Sequence, residues 1–78
     1  MIKMKDFIKA ISEEYERLYE AKDNVKGYRV AVWAFDEFCK AEENKEFLKE
    51  VVEARGDFIS SDREAAAFMF AMERFNMI

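Results

Sequence analysis

The groups in this chain that could carry out covalent or metal chemistry are one thiol and many carboxylates. The 78 residues include no histidine, and Cys39 is the only cysteine. Proton transfer, nucleophilic attack and zinc binding in enzymes draw mainly on histidine and cysteine side chains. Cys39 falls in the middle of an apolar helical face, where a thiol is typical of inert core packing. We therefore expect the protein not to be an enzyme.

The carboxylates include two sets with helical spacing that resemble candidate cation sites. Di-metal sites in helical bundles use inward-facing Glu-x-x-His pairs, whereas both sets here lie opposite the apolar stripes. The spacing of Glu13 with Arg17, and of Asp36 with Lys40, is typical of ion pairs on a helix surface. We therefore predict solvated acidic faces, with no metal and no cofactor. The two sets are Glu13, Glu16 and Glu20, and Glu46, Glu50 and Glu53.

Aromatic side chains with an arginine offer a different chemistry, the stacking and charge pairing that hold a nucleotide. This alternative describes a homo-oligomeric helical protein that binds or sequesters a small molecule such as a nucleotide. It requires side chains to converge between helices or across a symmetric interface, and no spacing in the sequence enforces that convergence. The candidate residues are Tyr15, Tyr19, Tyr28 and either Arg29 or Arg63.

Charge and hydropathy narrow the classes of partner. The formal charge is −4, from 17 acidic and 13 basic residues spread along the chain, so no segment is basic enough to predict nucleic-acid binding. No stretch approaches the 18 or more apolar residues of a membrane span. Lys5, Asp6 and Lys9 interrupt the apolar residues near the start, which argues against a signal peptide. A cytoplasmic location is the resulting expectation, and a lone thiol fits a reducing compartment.

The elements that must position these groups are helices. The chain contains no proline and only two glycines, so few residues interrupt helical structure. Apolar residues recur at spacings of three and four, which predicts an all-α fold, a compact bundle of about four helices in a single domain over 1–78. We place the helices at approximately 4–22, 25–43, 45–55 and 62–77. The run YRVAVWAF leaves a buried strand at 28–35 as an alternative.

Local signals mark the helix ends. Asn44 is a candidate N-cap of the third helix, and Gly56 stands where a left-handed residue would end it. Ser61 and Glu64 have the spacing of a capping box at the start of the fourth helix. Between these signals, we expect Phe58 and Ile59 to insert into the core.

The fourth helix is apolar on nearly every side, in a chain of which 38% is charged. One face, containing Phe68, Met72 and Phe75, is expected to point into the core. A second stripe would then be available for self-association, because flexible Met and aromatic side chains suit contacts between proteins. The alternative is that the fourth helix is central and wrapped by the other three. The predicted oligomer interface comprises Phe70, Met77, Ala66 and Glu73.

Trp33 lies nearly opposite the apolar face of the second helix, among charged residues. An aromatic anchor inside a polar rim is typical of a binding hot spot. The alternative is that Trp33 packs on another helix of the bundle. The predicted partner-binding residues are Trp33, Arg29, Glu37 and Lys40.

These surfaces favour one hypothesis for function. We expect a small non-enzymatic protein-binding module, an inhibitor or regulator of phage or mobile-element type that acts by steric occlusion through an aromatic and Met-rich surface. Its partners would be a protein of unknown identity and further copies of itself, with no membrane and no nucleic acid. The nucleotide-binding oligomer is the alternative.

Overall fold

The chain folds into four α-helices joined by short connections. The computed structural model describes residues 2–78, and these contain no β-strand. The prediction of an all-α bundle is confirmed, and the alternative strand at 28–35 is wrong because those residues lie in the second helix. The helices are α1 (Met4–Glu20), α2 (Tyr28–Lys40), α3 (Lys45–Arg55) and α4 (Asp62–Arg74), and a 3₁₀ turn spans Glu42–Asn44 between α2 and α3.

Helix α4 occupies the centre of the arrangement. It packs against both α1 and α2, whereas α3 packs mainly against α1. Small side chains let the backbones of packed helices approach closely, and the alanines of α4 are buried by that approach. Most of the circumference of α4 is therefore covered by its own chain. The alanines concerned are Ala65, Ala66, Ala67 and Ala71.

The core is organised around the ring of Phe68, which is fully buried. Its centroid lies 5.1 Å from that of Phe35, 5.3 Å from Phe7 and 5.6 Å from Phe38. Phe47 of α3 completes the cluster at 6.1 Å. Rings at these separations and tilted angles interact favourably beyond the area they bury. One aromatic cluster thus ties all four helices together.

The first inter-helix connection is longer than the sequence predicts. Helix α1 ends at Glu20, and the next residues include Lys22 and Asp23, with φ values of 54° and 64°. Gly27 then adopts a φ of 84°, and α2 begins only at the following residue. Left-handed backbone ends a right-handed helix, and glycine adopts it without steric cost. The expected ranges 4–22 and 25–43 are therefore too long at this junction.

The predicted ends of α3 are confirmed, and the predicted C-terminus of α4 is not. Gly56 ends α3 with a φ of 81°, as its position indicates. Asn44 precedes α3 but does not cap it, because its side-chain amide donates 2.9 Å to the carbonyl of Phe38 at the end of α2. Helix α4 ends at Arg74 rather than at 77, and Asn76 has a φ of 55°.

A polar network fixes the connection between α3 and α4. The hydroxyl of Ser61 accepts a hydrogen bond of 3.2 Å from the backbone amide of Glu64, which confirms the N-cap half of the predicted capping box. The Glu64 carboxylate accepts in turn from the backbone amide of Ser60 and pairs with Arg55 of α3. Arg55 also donates to the carbonyl of Phe58, 3.0 Å away. The start of α4, the end of α3 and the segment between them thus form one connected unit.

Candidate functional site

A long apolar groove opens between α2 on one side and α3 with the following connection on the other. We call it the Trp33 groove. Its two halves share Phe35, Cys39 and Ile59. The Trp33 half has a volume of about 690 Å³ and the Phe58 half about 420 Å³. The further lining residues of the Trp33 half include Arg29, Val30, Trp33, Asp36, Ser61 and Asp62, and those of the Phe58 half include Lys45, Leu48, Lys49, Val52, Glu53 and Phe58.

Three of the large apolar side chains along this groove are mostly exposed. Trp33 and Phe58 are each 71% exposed, and Val30 is 67% exposed. Scattered exposed apolar residues are ordinary on protein surfaces, but these three lie on two adjoining depressions that share three lining residues. Trp33 does not pack in the core, so the alternative of a core tryptophan is wrong. The groove is the most conspicuous apolar surface that the fold leaves uncovered.

The predicted partner-binding residues around Trp33 are all exposed. Arg29 lines the groove beside Trp33. Glu37 and Lys40 lie farther along α2, where the Lys40 ammonium is 3.2 Å from a Glu37 oxygen and 3.2 Å from an Asp36 oxygen. The Asp36 and Glu37 hydrogen bonds raise the pKa of Lys40. The charged rim expected around Trp33 therefore exists on one side as a set of surface ion pairs.

Cys39 lies on the shared floor of the groove, half-buried rather than enclosed in the core. Burial raises the pKa of its thiol, and the nearby negative charge of Asp36 raises it further, while Lys45 opposes the shift. A thiol with a raised pKa stays protonated at neutral pH and is a poor nucleophile. The Cys39 thiol is thus a weak nucleophile, although it is more exposed to solvent than the sequence predicts.

The predicted oligomer interface on α4 is not an exposed stripe. Ala66 is fully buried, and Phe70 is half-buried with the Arg17 guanidinium 5.1 Å from its ring centroid. Met77 is also half-buried, and only Glu73 of the four is exposed. Ala66 is therefore not available for self-association, because α1 and α2 cover α4 on two sides, whereas a contact through Phe70, Met77 and Glu73 stays a prediction. The alternative of a central helix wrapped by the other three holds for two of those helices.

Phe58 and Ile59 are both predicted to insert into the core, but only one of them does. Ile59 packs against the core as predicted, but the ring of Phe58 points outward and forms part of the groove wall. The reason lies in the preceding turn, where Gly56 and the Asp57 carboxylate, which accepts from the Phe58 amide at 2.8 Å, direct the chain outward. The sequence does not predict the α3 side of the groove, because its residues come from separate elements with no shared periodicity.

Several of the residues predicted for a nucleotide site lie near one another, but one of the two candidate arginines, Arg63, is already paired with Asp23. The Arg63 guanidinium is 5.0 Å from the ring centroid of Tyr19 and 5.6 Å from that of Tyr15. It also donates two hydrogen bonds, of 2.7 and 2.9 Å, to the Asp23 carboxylate, which lower the pKa of that carboxyl. Tyr28 borders an adjacent depression that also contains Asp23. Asp23 therefore pairs with one of the two candidate arginines, whereas Arg29, the other candidate, lines the same depression as Tyr28.

The two candidate cation sets point to solvent. All six carboxylates are exposed, and residues 2–78 contain no group of three acidic or cysteine side chains arranged to hold a metal ion. The Asp36–Lys40 pair is present as predicted. The predicted Glu13–Arg17 pair is wrong, because Arg17 pairs with Glu14 at 2.8 Å and Glu13 pairs with Arg74 of α4 at 2.6 Å. Of the six carboxylates, Glu13 thus links α1 to α4 through Arg74.

Comparison with protein-family models, with curated proteins and with solved structures found no match to this chain. Within residues 2–78, no helix combines the length and apolar character needed to cross a bilayer.

Proposed function

We propose that this protein is a non-enzymatic protein-binding module and that the Trp33 groove is its docking surface. The observation that carries the proposal is the exposure of Trp33 and Phe58, each 71%, on the two halves of one groove. Binding hot spots are enriched in tryptophan and lie within a polar rim. A folded chain of 78 residues that binds a target protein through this groove would block the surface it covers, and so act as an inhibitor or regulator by steric occlusion.

The chemistry along the groove supports binding over catalysis. The Cys39 thiol has a raised pKa, and the Asp36 carboxylate is paired with Lys40. A nucleophile requires a neighbouring base or a lowered pKa, and neither feature is present among these groups. By contrast, the apolar floor and the mixed charges of the rim suit a surface that closes over a partner.

A matched set of alanine variants tests this proposal. Wild-type protein, Trp33→Ala, Phe58→Ala and the control Tyr19→Ala would be immobilised, and the proteins each retains from a lysate of the source cells would be quantified. Tyr19 is 60% exposed but stacks on Arg63 outside the groove. We expect at least one protein that wild type and Tyr19→Ala retain equally and that both groove variants lose by about tenfold or more. Identical retention by wild type and Trp33→Ala would refute the proposal.

A further inference from the structure

The charges that border the Trp33 groove are divided between its two halves. The Trp33 half is lined by Arg29, Asp36 and Asp62, and Lys40 at its edge pairs with both Asp36 and Glu37, so that two basic residues stand against three acidic ones. The Phe58 half contains Lys45 and Lys49 with a single acidic residue, Glu53. The groove is therefore neutral as a whole, on a chain with a formal charge of −4, with an excess of acid on one half and of base on the other.

A surface divided in this way is complementary to itself under two-fold symmetry. The halves meet at Phe35, Cys39 and Ile59, so a two-fold axis through this shared floor places the acidic half of one copy against the basic half of the other. Both symmetry-related contacts then join opposite charges, which favours this register over alternatives. We propose that a second copy of this chain covers the Trp33 groove in this antiparallel arrangement. The inference rests on the proposed function, because it uses the same docking surface and names its occupant.

The exposed aromatic side chains of the groove supply part of the area that a dimer needs. A standard interface buries about 800 Å² on each partner. Because buried aromatic side chains contribute roughly 150–250 Å² each, the uncovered parts of Trp33 and Phe58 supply roughly 200–350 Å² together. Val30 and the half-buried walls of the groove add to this area. In the dimer, Trp33 of each copy would contact the Phe58 half of the other copy.

Paired charge reversals test both the partner and its orientation. The variants are Asp36→Lys and Lys49→Glu, one in each half and both exposed. Sedimentation equilibrium of the wild type should give twice the single-chain mass of 9.3 kDa at high micromolar concentration. Each single variant places like charges together at both symmetric contacts, so its dimer Kd should rise about tenfold or more. An equimolar mixture of the two variants restores opposite charges at both contacts and should dimerise like the wild type.

Controls with the same change of net charge isolate the groove from general repulsion. Glu16→Lys and Lys9→Glu reverse exposed charges on α1, outside the groove, and should leave the Kd unchanged. Circular dichroism of every variant verifies that the helices remain. A wild type that stays monomeric to about 1 mM, or a mixture no more dimeric than its components, would overturn the inference.

The outcome also separates this inference from the proposed function. A monomeric wild type that still retains another protein in a Trp33-dependent manner contradicts the second copy as occupant and leaves the docking groove in place. A dimer with the expected charge-swap behaviour, but with no Trp33-dependent capture of another protein, supports the second copy and contradicts a separate target.

Discussion

Truncation of Trp33 to alanine should cost little stability, in contrast to the same truncation at Phe68. Because Trp33 is 71% exposed, folding covers less than a third of its surface, roughly 70 Å² by the usual area of an aromatic side chain. At about 25 cal/mol per Å² this burial contributes about 1.8 kcal/mol. Alanine retains part of that burial and is the better helix former by roughly 0.5 kcal/mol. We therefore expect a net loss of about 1 kcal/mol for Trp33→Ala.

Phe68→Ala is the matched comparison, because its ring is fully buried and contacts four other rings. Removal of such a ring typically lowers the free energy of unfolding by about 3–5 kcal/mol. This loss combines the transfer free energy of the removed atoms with the cost of the cavity left behind. A single core in a chain of this length supplies only about 3–5 kcal/mol of net stability. Phe68→Ala should therefore be largely unfolded at 25 °C in the absence of denaturant.

The measurement is urea unfolding followed by far-ultraviolet circular dichroism, which does not depend on the tryptophan. It should be made at a protein concentration low enough for the chain to be monomeric, because self-association through the groove would add to the apparent stability. A loss of about 3 kcal/mol or more for Trp33→Ala under these conditions would show that Trp33 contributes core packing. That result would remove the main support for a docking groove.

Three further substitutions test other parts of the structure. Phe70→Asp should lower the melting temperature, since it loses the apolar contacts under Arg17, but should leave the solution mass unchanged; a lower mass instead would support α4 as an interface. Ser61→Ala should destabilise the protein by about 1 kcal/mol because the N-cap bond to α4 is lost, and an unchanged urea midpoint would contradict that role. Desolvation raises the pKa of Glu64, but hydrogen bonds from Arg55, Ser61 and the Ser60 amide outweigh it and leave the pKa below its ordinary value of 4.5. A carboxyl whose pKa is lower in the folded state stabilises the fold at pH values above its ordinary pKa of 4.5, and this contribution is lost as the pH falls through the folded-state pKa. The difference in stability between wild type and Glu64→Gln should therefore shrink below about pH 4.5.

The sequence predicts the local features of the fold more successfully than its surfaces. The end of α3 and the start of α4 follow from Gly56 and Ser61, whose effects act within a few residues. The early end of α1 depends on left-handed residues at Lys22 and Asp23, for which single-residue preferences give little indication. Burial of Ala66 depends on which helices surround α4, and helical periodicity does not contain that information.

In the candidate site, too, the sequence predicts the feature that lies within one helix and does not predict the one that depends on tertiary packing. An exposed Trp33 on α2 could be proposed from its position opposite the apolar face. The opposite wall of the groove combines α3 with Phe58, which lies in a connection, so its residues become neighbours only after the chain folds back on itself. The groove is therefore a tertiary feature, and only one of its walls is visible in the sequence.

The attachment of α3 predicts how the groove moves. Helix α4 is covered on two sides, so its amide hydrogens should exchange with solvent only when the whole chain unfolds. Helix α3 packs mainly against α1, and the Arg55–Glu64 pair links its last residue to α4, so its amides should exchange through a smaller opening. Such an opening would widen the Phe58 half of the groove while α1, α2 and α4 stay packed. We therefore expect the groove to have one fixed wall, on α2, and one adjustable wall, on α3.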